Sequence, residues 1–281
     1  MVDKRILKSR NLLQLREFAH RIRRRVLVQA AGKGKGYVGQ GLDAADIFAV
    51  VYGSVLNWKP ENLKWEGRDR LFLSVGHYAI AVHGALAEYG IYSEQDLETY
   101  CNDESIVNMS ADGHSPGFEI CGGPLGHGLS LALGAALGTR FQKKTYRIIN
   151  FMSDGELSEG STWEAAMCAG SYAIDNLINI VDLNNMVADG CASDVLKFEP
   201  VVDRWQAFGW HVQRVNGNDV QALLDAFDAV EEVRTAPHAI LCDTVVGKGV
   251  QFIEERKAHF VRVDQHEWDV AFKQLEESES K

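Results

Sequence analysis

The sequence predicts an α/β fold, a parallel sheet with helices on both faces. Two observations lead to it. Residues 146–183 read as strand, helix, strand in about the length of one crossover unit. Downstream the alternation continues: Val201 to Phe208 as helix, His211 to Val215 as strand, Val220 to Val233 as helix, Ala239 to Val246 as strand. The bulk numbers agree. Hydrophobic content of 46% and charged content of 24% are ordinary for a globular protein, and 281 residues can bury a substantial core. A net charge of −10 argues against nucleic acid as the main partner. No apolar run reaches the length of a membrane span, and MVDKRILKSR lacks the apolar core of a signal peptide. Cys101, Cys121, Cys168, Cys191 and Cys242 are odd in number and without CxxC spacing, so buried free thiols in a reducing cytosol are expected.

Residues 1–25 carry nine Lys or Arg against two acids. Leu12, Leu15, Phe18, Ala19, Ile22 and Val26 recur at helical spacing, which predicts an amphipathic helix over 11–30 with a solvated basic side. Gly34, Gly36 and Gly39 satisfy GxGxxG, but they follow a helix end rather than a strand, so the dinucleotide reading is rejected. Asp43 is placed to cap a helix running to Leu56. Leu71-Phe72-Leu73 reads as a short strand ending at Ser74-Val75-Gly76-His77. A helix from Tyr78 to Tyr89 follows, and Ser93 starts another. A histidine at a strand end suits chemistry and structure equally. Residues 110–130 form a glycine-rich loop entering a helix, suited to phosphate contacts through backbone N–H groups. Residues 265–281 read as a last, charged helix.

The most informative stretch is 153–190. The apolar run Tyr146 to Met152 precedes Asp154-Gly155. Trp163, Ala166, Met167 and Gly170 share one face of a helix over Ser161 to Ala173. Leu177 to Leu183 ends in Asn184-Asn185. If the two strands are neighbours, Asp154 and Asn184 sit at the same sheet edge, where open α/β sheets bind ligands. The stretch holds seven acids and no Lys, Arg or His. A carboxylate and a carboxamide oxygen are hard ligands, suited to magnesium or calcium shared with a phosphate. The Gly155 backbone can add an N–H donor. Taken singly, Asp154 as a helix cap and Asn184 as a turn residue explain the same letters.

Asp-Gly, about thirty residues and then Asn-Asn at a strand end resembles the thiamine diphosphate motif. DGELSEGSTWEAAM, with the later DNL and Asp189-Gly190, resembles the transketolase family in particular. RDRLFLSVGH, GGPLGHG and VGKGVQFIEERKAHF extend the likeness from about residue 11 to 260. The resemblance implies a thiamine diphosphate-binding fold, with residues 1–281 as one diphosphate-binding domain. It implies Asp154, Asn184 and the Met186 carbonyl as magnesium ligands (calcium or manganese serving equally), and cofactor contacts at Gly123, Leu125, Gly155, His77 and His259. It assigns catalytic roles to His77, His114 and His259, and places Glu159 and Glu164 near the subunit contact. Tyr37 stands where the family has a histidine lining the substrate channel, Ser153 where it has glycine, and His127 where it often has glutamine. Ala258 and Phe260 replace the usual neighbours of His259.

The likeness covers the first half of a full transketolase. In the family the other half supplies the pyrimidine-binding domain, with the glutamate that activates the cofactor, and most phosphate-binding substrate residues. The resemblance therefore implies the N-terminal subunit of a split, cytoplasmic transketolase. Such a subunit would pair with a C-terminal subunit, as a heterotetramer, and move a two-carbon ketol unit between sugar phosphates. Other thiamine diphosphate enzymes remain open, either deoxyxylulose phosphate synthase-like or 2-oxoacid dehydrogenase-like, as does a non-catalytic regulatory protein on the same fold.

Overall fold

The structure is a computed structural model and describes residues 8–279. The expected end of the last helix, residues 280 and 281, lies outside the described residues, as do the first basic residues of the chain, within 1–7. Five strands form one parallel sheet: β1 (Arg70–Leu73), β2 (Ile148–Ser153), β3 (Leu177–Leu183), β4 (His211–Asn216) and β5 (His238–Asp243), in the spatial order β1-β2-β3-β5-β4. All residues of β2 and β3 are buried. That explains why their sequences are continuous apolar runs rather than alternating ones.

Successive strand residues point into two different cores. Ile149, Phe151, Ile178, Ile180, Ile240 and Cys242 join one cluster. Ile148, Met152, Leu177, Val181, Ala239 and Leu241 join the other. The first core is covered by the helices Leu12–Lys33, Ala45–Val50, Ala79–Ala87, Val220–Glu232 and Gln265–Glu279. The second is covered by Gly128–Phe141, Gly160–Ser171 and Val201–Ala207. Both faces of the sheet are thus buried, as expected. A fully buried Phe such as Phe151 contributes roughly 1.5–3 kcal/mol by removal from water.

The N-terminal helix starts where the Asn11 side chain accepts the Gln14 N–H, and ends at Gly34, which is left-handed at φ 73°. Leu15, Phe18, Ala19, Ile22 and Val26 are buried as the spacing predicts, and Leu12 is partly buried. The basic side is not simply solvated. Arg23 is buried against Asp46, while Arg21 and Arg25 both reach Glu88. The helix Leu12–Lys33 leads directly into Gly34, and Lys35-Gly36 pairs antiparallel with Val261-Arg262 away from the parallel sheet, so the rejection of a dinucleotide loop stands.

Other expectations are corrected. Asp43 caps no helix; it closes the short helix Val38–Asp43 and is completely buried. The segment expected as one helix to Leu56 divides into that turn, Ala45–Val50 and a wider π-turn at Val51–Val55. The helix after β2 turns a different face inward: Thr162, Ala165, Ala166 and Ala169 are buried, whereas Met167 is 53% exposed. Small residues fit the close packing, Trp163 is partly buried against the same core as expected, and Met167 is left outside. The strand expected to reach Val246 stops at Asp243, and the helix expected over Tyr78 to Tyr89 spans Ala79–Ala87. The cysteines are free, but only Cys242 is buried and Cys121 is exposed.

Candidate functional site

Ser153 pairs with Asp182 in parallel register, so β2 and β3 are neighbours and release Asp154 and Asn184 at one edge. Beyond β2 the chain makes a 3-10 turn, Asp154–Ser158, rather than entering a helix at once. Ser153 and Glu156 form a reciprocal capping box on that turn. The Asp154 side chain does not cap. Its Oδ2 accepts the Asn185 N–H at 2.7 Å, while its Oδ1 is buried with no hydrogen-bond partner. Burial first, and then the charge of Asp182, push the Asp154 pKa up to about 8.

Asn184 is held on all sides. Its Oδ1 accepts the Met186 N–H at 2.9 Å. Its Nδ2 lies 2.9 Å from each of Asp43 Oδ2, Asp182 Oδ2 and the Tyr78 hydroxyl. Tyr78 and Thr244 both donate to Asp182. Asp43, Asp154 and Asp182 are therefore three buried carboxylates around one carboxamide. Burial, then the charge of Asp182, holds Asp43 well above the usual carboxylate range, and burial lifts Asp182 to about 6. An orphaned carboxylate oxygen amid like charges is costly in a low dielectric unless a cation shares it. The donor set is all oxygen, which fits magnesium or calcium. The Asp154 carboxylate, Asn184 Oδ1 and the Met186 carbonyl are the atoms that could hold it. Gly155, half-buried, follows at the turn with its backbone available to a phosphate.

The sequence reading missed Asp43, Tyr78, Asp182 and Thr244. Asp182 was visible as a lone charge inside an otherwise apolar strand. Lys257 was missed too. It adopts φ 47° and lines a cavity of about 200 Å³ together with Asn184, Asn185, Met186 and Thr244. A basic residue thus lines this cavity, with the acidic Glu254 beside it.

The glycine-rich loop is fastened over the same edge by Glu156. This buried carboxylate accepts the Gly126 N–H at 2.8 Å, the Ser153 N–H at 3.3 Å and the Ser74 hydroxyl. Burial raises its pKa to about 7. The Ser74 hydroxyl in turn accepts the Gly128 N–H at 3.1 Å. Gly128 opens the next helix against Ser74, where a Cβ would lie 2.2 Å from that side chain. The backbone of Gly123 and Leu125 lies in this loop; Gly123 is exposed and Leu125 is half-buried.

A second group of side chains gathers nearby in the chain's topology. The ring centroids of Tyr37 and His77 are 4.7 Å apart, His77 and His259 5.0 Å, Tyr37 and His259 5.4 Å, and Tyr37 and Phe260 4.9 Å. Burial, then the charge of His259, lowers the His77 pKa to about 3, and burial lowers that of His259. Both rings are therefore neutral near pH 7. The Gln40 amide lies 2.9 Å from His259 Nδ1. His114 is not part of this ring cluster. Its side chain is 93% exposed, with Nδ1 2.9 Å from Asp112 Oδ1. His127 is exposed, with Nδ1 3.2 Å from the Leu125 carbonyl. Glu159 is half-buried and Glu164 exposed, at the start of Gly160–Ser171.

A parallel α/β sheet with oxygen donors on adjacent strand ends, and a glycine-rich loop fastened at the same edge, defines an open α/β protein of the kind that takes ligands at its strand ends. The chain belongs to the transketolase family: residues 16–276 match the transketolase, thiamine diphosphate binding domain. It is 50% identical over 264 residues to an uncharacterized transketolase family protein of Sinorhizobium fredii, covering 93% of this chain and 95% of that one. It is 34% identical over 270 residues to the 6-deoxy-6-sulfo-D-fructose transketolase subunit of a Clostridium species, covering 95% and 98%. The crystal structure of the Campylobacter jejuni transketolase superposes with a TM-score of 0.88 at 28% identity, covering 95% of this chain and 43% of that one. The chain thus spans less than half of that solved transketolase and nearly all of the two relatives, and is an N-terminal transketolase subunit by type. No helix among the described residues is long and apolar enough to cross a membrane.

Proposed function

We propose that residues 1–281 act as one diphosphate-binding domain, the N-terminal subunit of a two-chain cytoplasmic transketolase. With thiamine diphosphate and magnesium it moves a two-carbon ketol unit from a ketose phosphate to an aldose phosphate. The observation that carries this reading is the orphaned, buried Asp154 Oδ1 beside Asn184. Asp154, Asn184 and the Met186 carbonyl hold the cation. The backbone at Gly155, Gly123 and Leu125 meets the cofactor, and Lys257 adds positive charge from the cavity wall. Thiamine diphosphate, when bound, supplies the electron sink for carbon–carbon cleavage. His77 and His259, neutral and half-buried, donate hydrogen bonds to substrate oxygens and move protons. His114 joins them from the loop. Tyr37 and Phe260 form an aromatic wall beside these histidines.

The C-terminal partner supplies the pyrimidine-binding domain, in a heterotetramer, with Glu159 and Glu164 at the contact. Leu131, Phe141, Met167 and Tyr172, all exposed on or beside the helices Gly128–Phe141 and Gly160–Ser171, support such a contact. The test is ketol transfer from xylulose 5-phosphate to an aldose phosphate. The chain alone should be inactive, and activity should rise with added C-terminal subunit and saturate near equal stoichiometry. Transfer by this chain, free of any second polypeptide by mass spectrometry, would overturn the proposal.

A further inference from the structure

Residues 33–37 and 256–262 carry Lys33, Lys35, Arg256, Lys257 and Arg262 and no acid, in a chain whose net charge is −10. The short antiparallel ladder brings the two segments together and sets Lys35 directly opposite Arg262. Opposite residues on such a ladder hold their Cβ atoms about 4.5–5.5 Å apart, and like charges there repel. Arg256 is answered by Glu267 and Lys33 by the Asn102 carboxamide. Among the described residues neither Lys35 nor Arg262 has a carboxylate partner. The next pair on the ladder faces the core: a Cβ on Gly36 would meet Ala30, Ile80 and Tyr100, and Val261 is buried. Lys35 and Arg262 face the other way, together with Tyr37 and Phe260, since strand residues two apart share a face. The rings agree with this. The Arg262 guanidinium lies 5.5 Å from the Phe260 ring centroid, Phe260 packs on Tyr37, and Tyr37 packs on His77 and His259. One face thus carries, in order, two neutral imidazoles, two aromatic rings and two cations without an anion.

We propose that Lys35 and Arg262 form a subsite of this chain for the terminal phosphate of the sugar substrates. The inference rests on the ketol-transfer reading above and adds that this subunit, and not only its partner, recognises the phosphate. A phosphate dianion between the two side chains turns their repulsion into two charge-assisted contacts. Stacking on Phe260 presents the Arg262 guanidinium and leaves its edge free to donate in plane. Lys35, half-buried, supplies a movable point charge opposite. The cations stand one step of two strand residues, roughly 6.6 Å, beyond the ring pair. A short sugar chain bridges that distance. Its carbons lie against Tyr37 and Phe260, and its carbonyl end reaches His77 and His259. No bond forms or breaks at the subsite. Its contribution is to hold the reacting end in place through contacts made at the other end of the substrate.

The test has a binding arm and a kinetic arm. In the first, the 281-residue chain is titrated at low ionic strength with ribose 5-phosphate and separately with ribose, following the nitrogen-15 signal of the Arg262 guanidinium. Ribose 5-phosphate should shift the signal to saturation, ribose should leave it in place, and Lys35→Gln should weaken the binding about fivefold or more. In the second, enzyme reconstituted with the C-terminal subunit is assayed with xylulose 5-phosphate and with xylulose as donors. Lys35→Gln combined with Arg262→Gln should raise KM for the phosphorylated donor about tenfold, keep kcat within about twofold and leave kcat/KM for xylulose unchanged. Lys35→Arg should retain the preference for phosphate. Lys33→Gln, which also removes one positive charge, should change neither constant. The KM of the unaltered enzyme for xylulose 5-phosphate should rise with salt more steeply than that of the double variant. An Arg262 signal unmoved by ribose 5-phosphate, or a double variant with the unaltered KM, would overturn the subsite. Absence of ketol transfer by the unaltered reconstituted enzyme would instead overturn the function proposed above, and the binding arm would still decide whether this pair holds a sugar phosphate.

Discussion

Asp154 Oδ2 accepts the Asn185 backbone N–H at 2.7 Å, so one oxygen of this carboxylate is committed to the neighbouring strand end and the other is left alone. A diphosphate held at this edge would lie against the Asp154 carboxylate, which already feels the charge of the buried Asp182 behind it. A divalent cation between the carboxylate and the diphosphate removes the conflict. Calorimetry with thiamine diphosphate on the assembled protein should therefore show binding in magnesium and its loss in EDTA. Asp154→Ala should lower affinity in magnesium by more than about tenfold and erase the metal dependence. Equal affinity of the unaltered protein in EDTA would contradict the site.

The close approach of Gly128 to Ser74 gives a stability prediction. Alanine there would place its Cβ 2.2 Å from Ser74 Cβ and Oγ and 2.5 Å from Ser74 Cα, and would strain the Gly128 N–H bond to Ser74. Gly128→Ala should cost about 1–3 kcal/mol, seen as a lowered melting temperature. Gly134, on the same helix, is exposed, and a methyl group added there would meet nothing within 4 Å, so Gly134→Ala should raise stability by about 0.5–1 kcal/mol. Equal effects of the two changes would mean that helix propensity, not contact with Ser74, governs Gly128.

Much of this architecture was legible in the residues. β2 and β3 announce themselves because both faces of a parallel sheet are buried, and Leu177–Leu183 has the predicted bounds. Asp154 and Asn184 could be placed at one edge from the strand alternation alone. The partners of Asn184 could not. Asp43 lies 141 residues away in sequence, and its position before Ala44-Ala45-Asp46 reads locally as a cap. Likewise the inward face of Gly160–Ser171 is only partly legible: Trp163 and Ala166 pack against the second core as the spacing predicts, but Met167 is exposed and the small Ala165 and Ala169 are buried in its stead. Tyr37 and His259 meet only in three dimensions, through the short antiparallel pairing of Lys35-Gly36 with Val261-Arg262.

His83 sets a pH dependence away from the proposed site. It is buried against the rings of Tyr92 and Phe118, its Nδ1 has no partner, and burial lowers its pKa to about 3. The unfolded chain binds this proton near pH 6.5 and the folded chain does not. The folded state therefore keeps full stability above about pH 6.5 and loses it as the pH falls towards 3. His83→Leu removes that proton uptake. Between pH 7 and 5 the variant should lose about 2 kcal/mol less than the unaltered chain, measured by urea denaturation. Parallel losses in the two proteins would show that His83 is not buried neutral.

His77 sits in the turn Gly76–Tyr78 just beyond β1, with the rings of Tyr37 and Tyr78 tilted against it, and burial lowers its pKa so that it is neutral. If it contacts substrate, His77→Ala should leave the circular dichroism spectrum unchanged and lower turnover by about 100-fold or more. Ketol transfer at the unaltered rate would make His77 a packing residue and move the substrate channel elsewhere.

Gln40 tests whether His259 works through its tautomer. The Gln40 Nε2–H donates to His259 Nδ1 at 2.9 Å, which leaves the ring proton on Nε2 as the available donor. Gln40 is 1% exposed and its Oε1 is unpartnered, so Gln40→Leu removes one hydrogen bond and one buried unsatisfied oxygen together. These offset, and the melting temperature should change by only a few degrees. The ring, however, loses what selects its tautomer. Nitrogen-15 spectra should show one neutral tautomer of His259, protonated at Nε2, in the unaltered subunit and a mixture in the variant. Turnover of the reconstituted enzyme should fall about tenfold with little change in cofactor affinity, because only the orientation of a proton donor is lost. Gln40→Glu, which can only accept from Nδ1–H, should fix the opposite tautomer and lower turnover further. A single unchanged His259 tautomer in both variants, or rates equal to that of the unaltered enzyme, would show that Gln40 only packs against the ring.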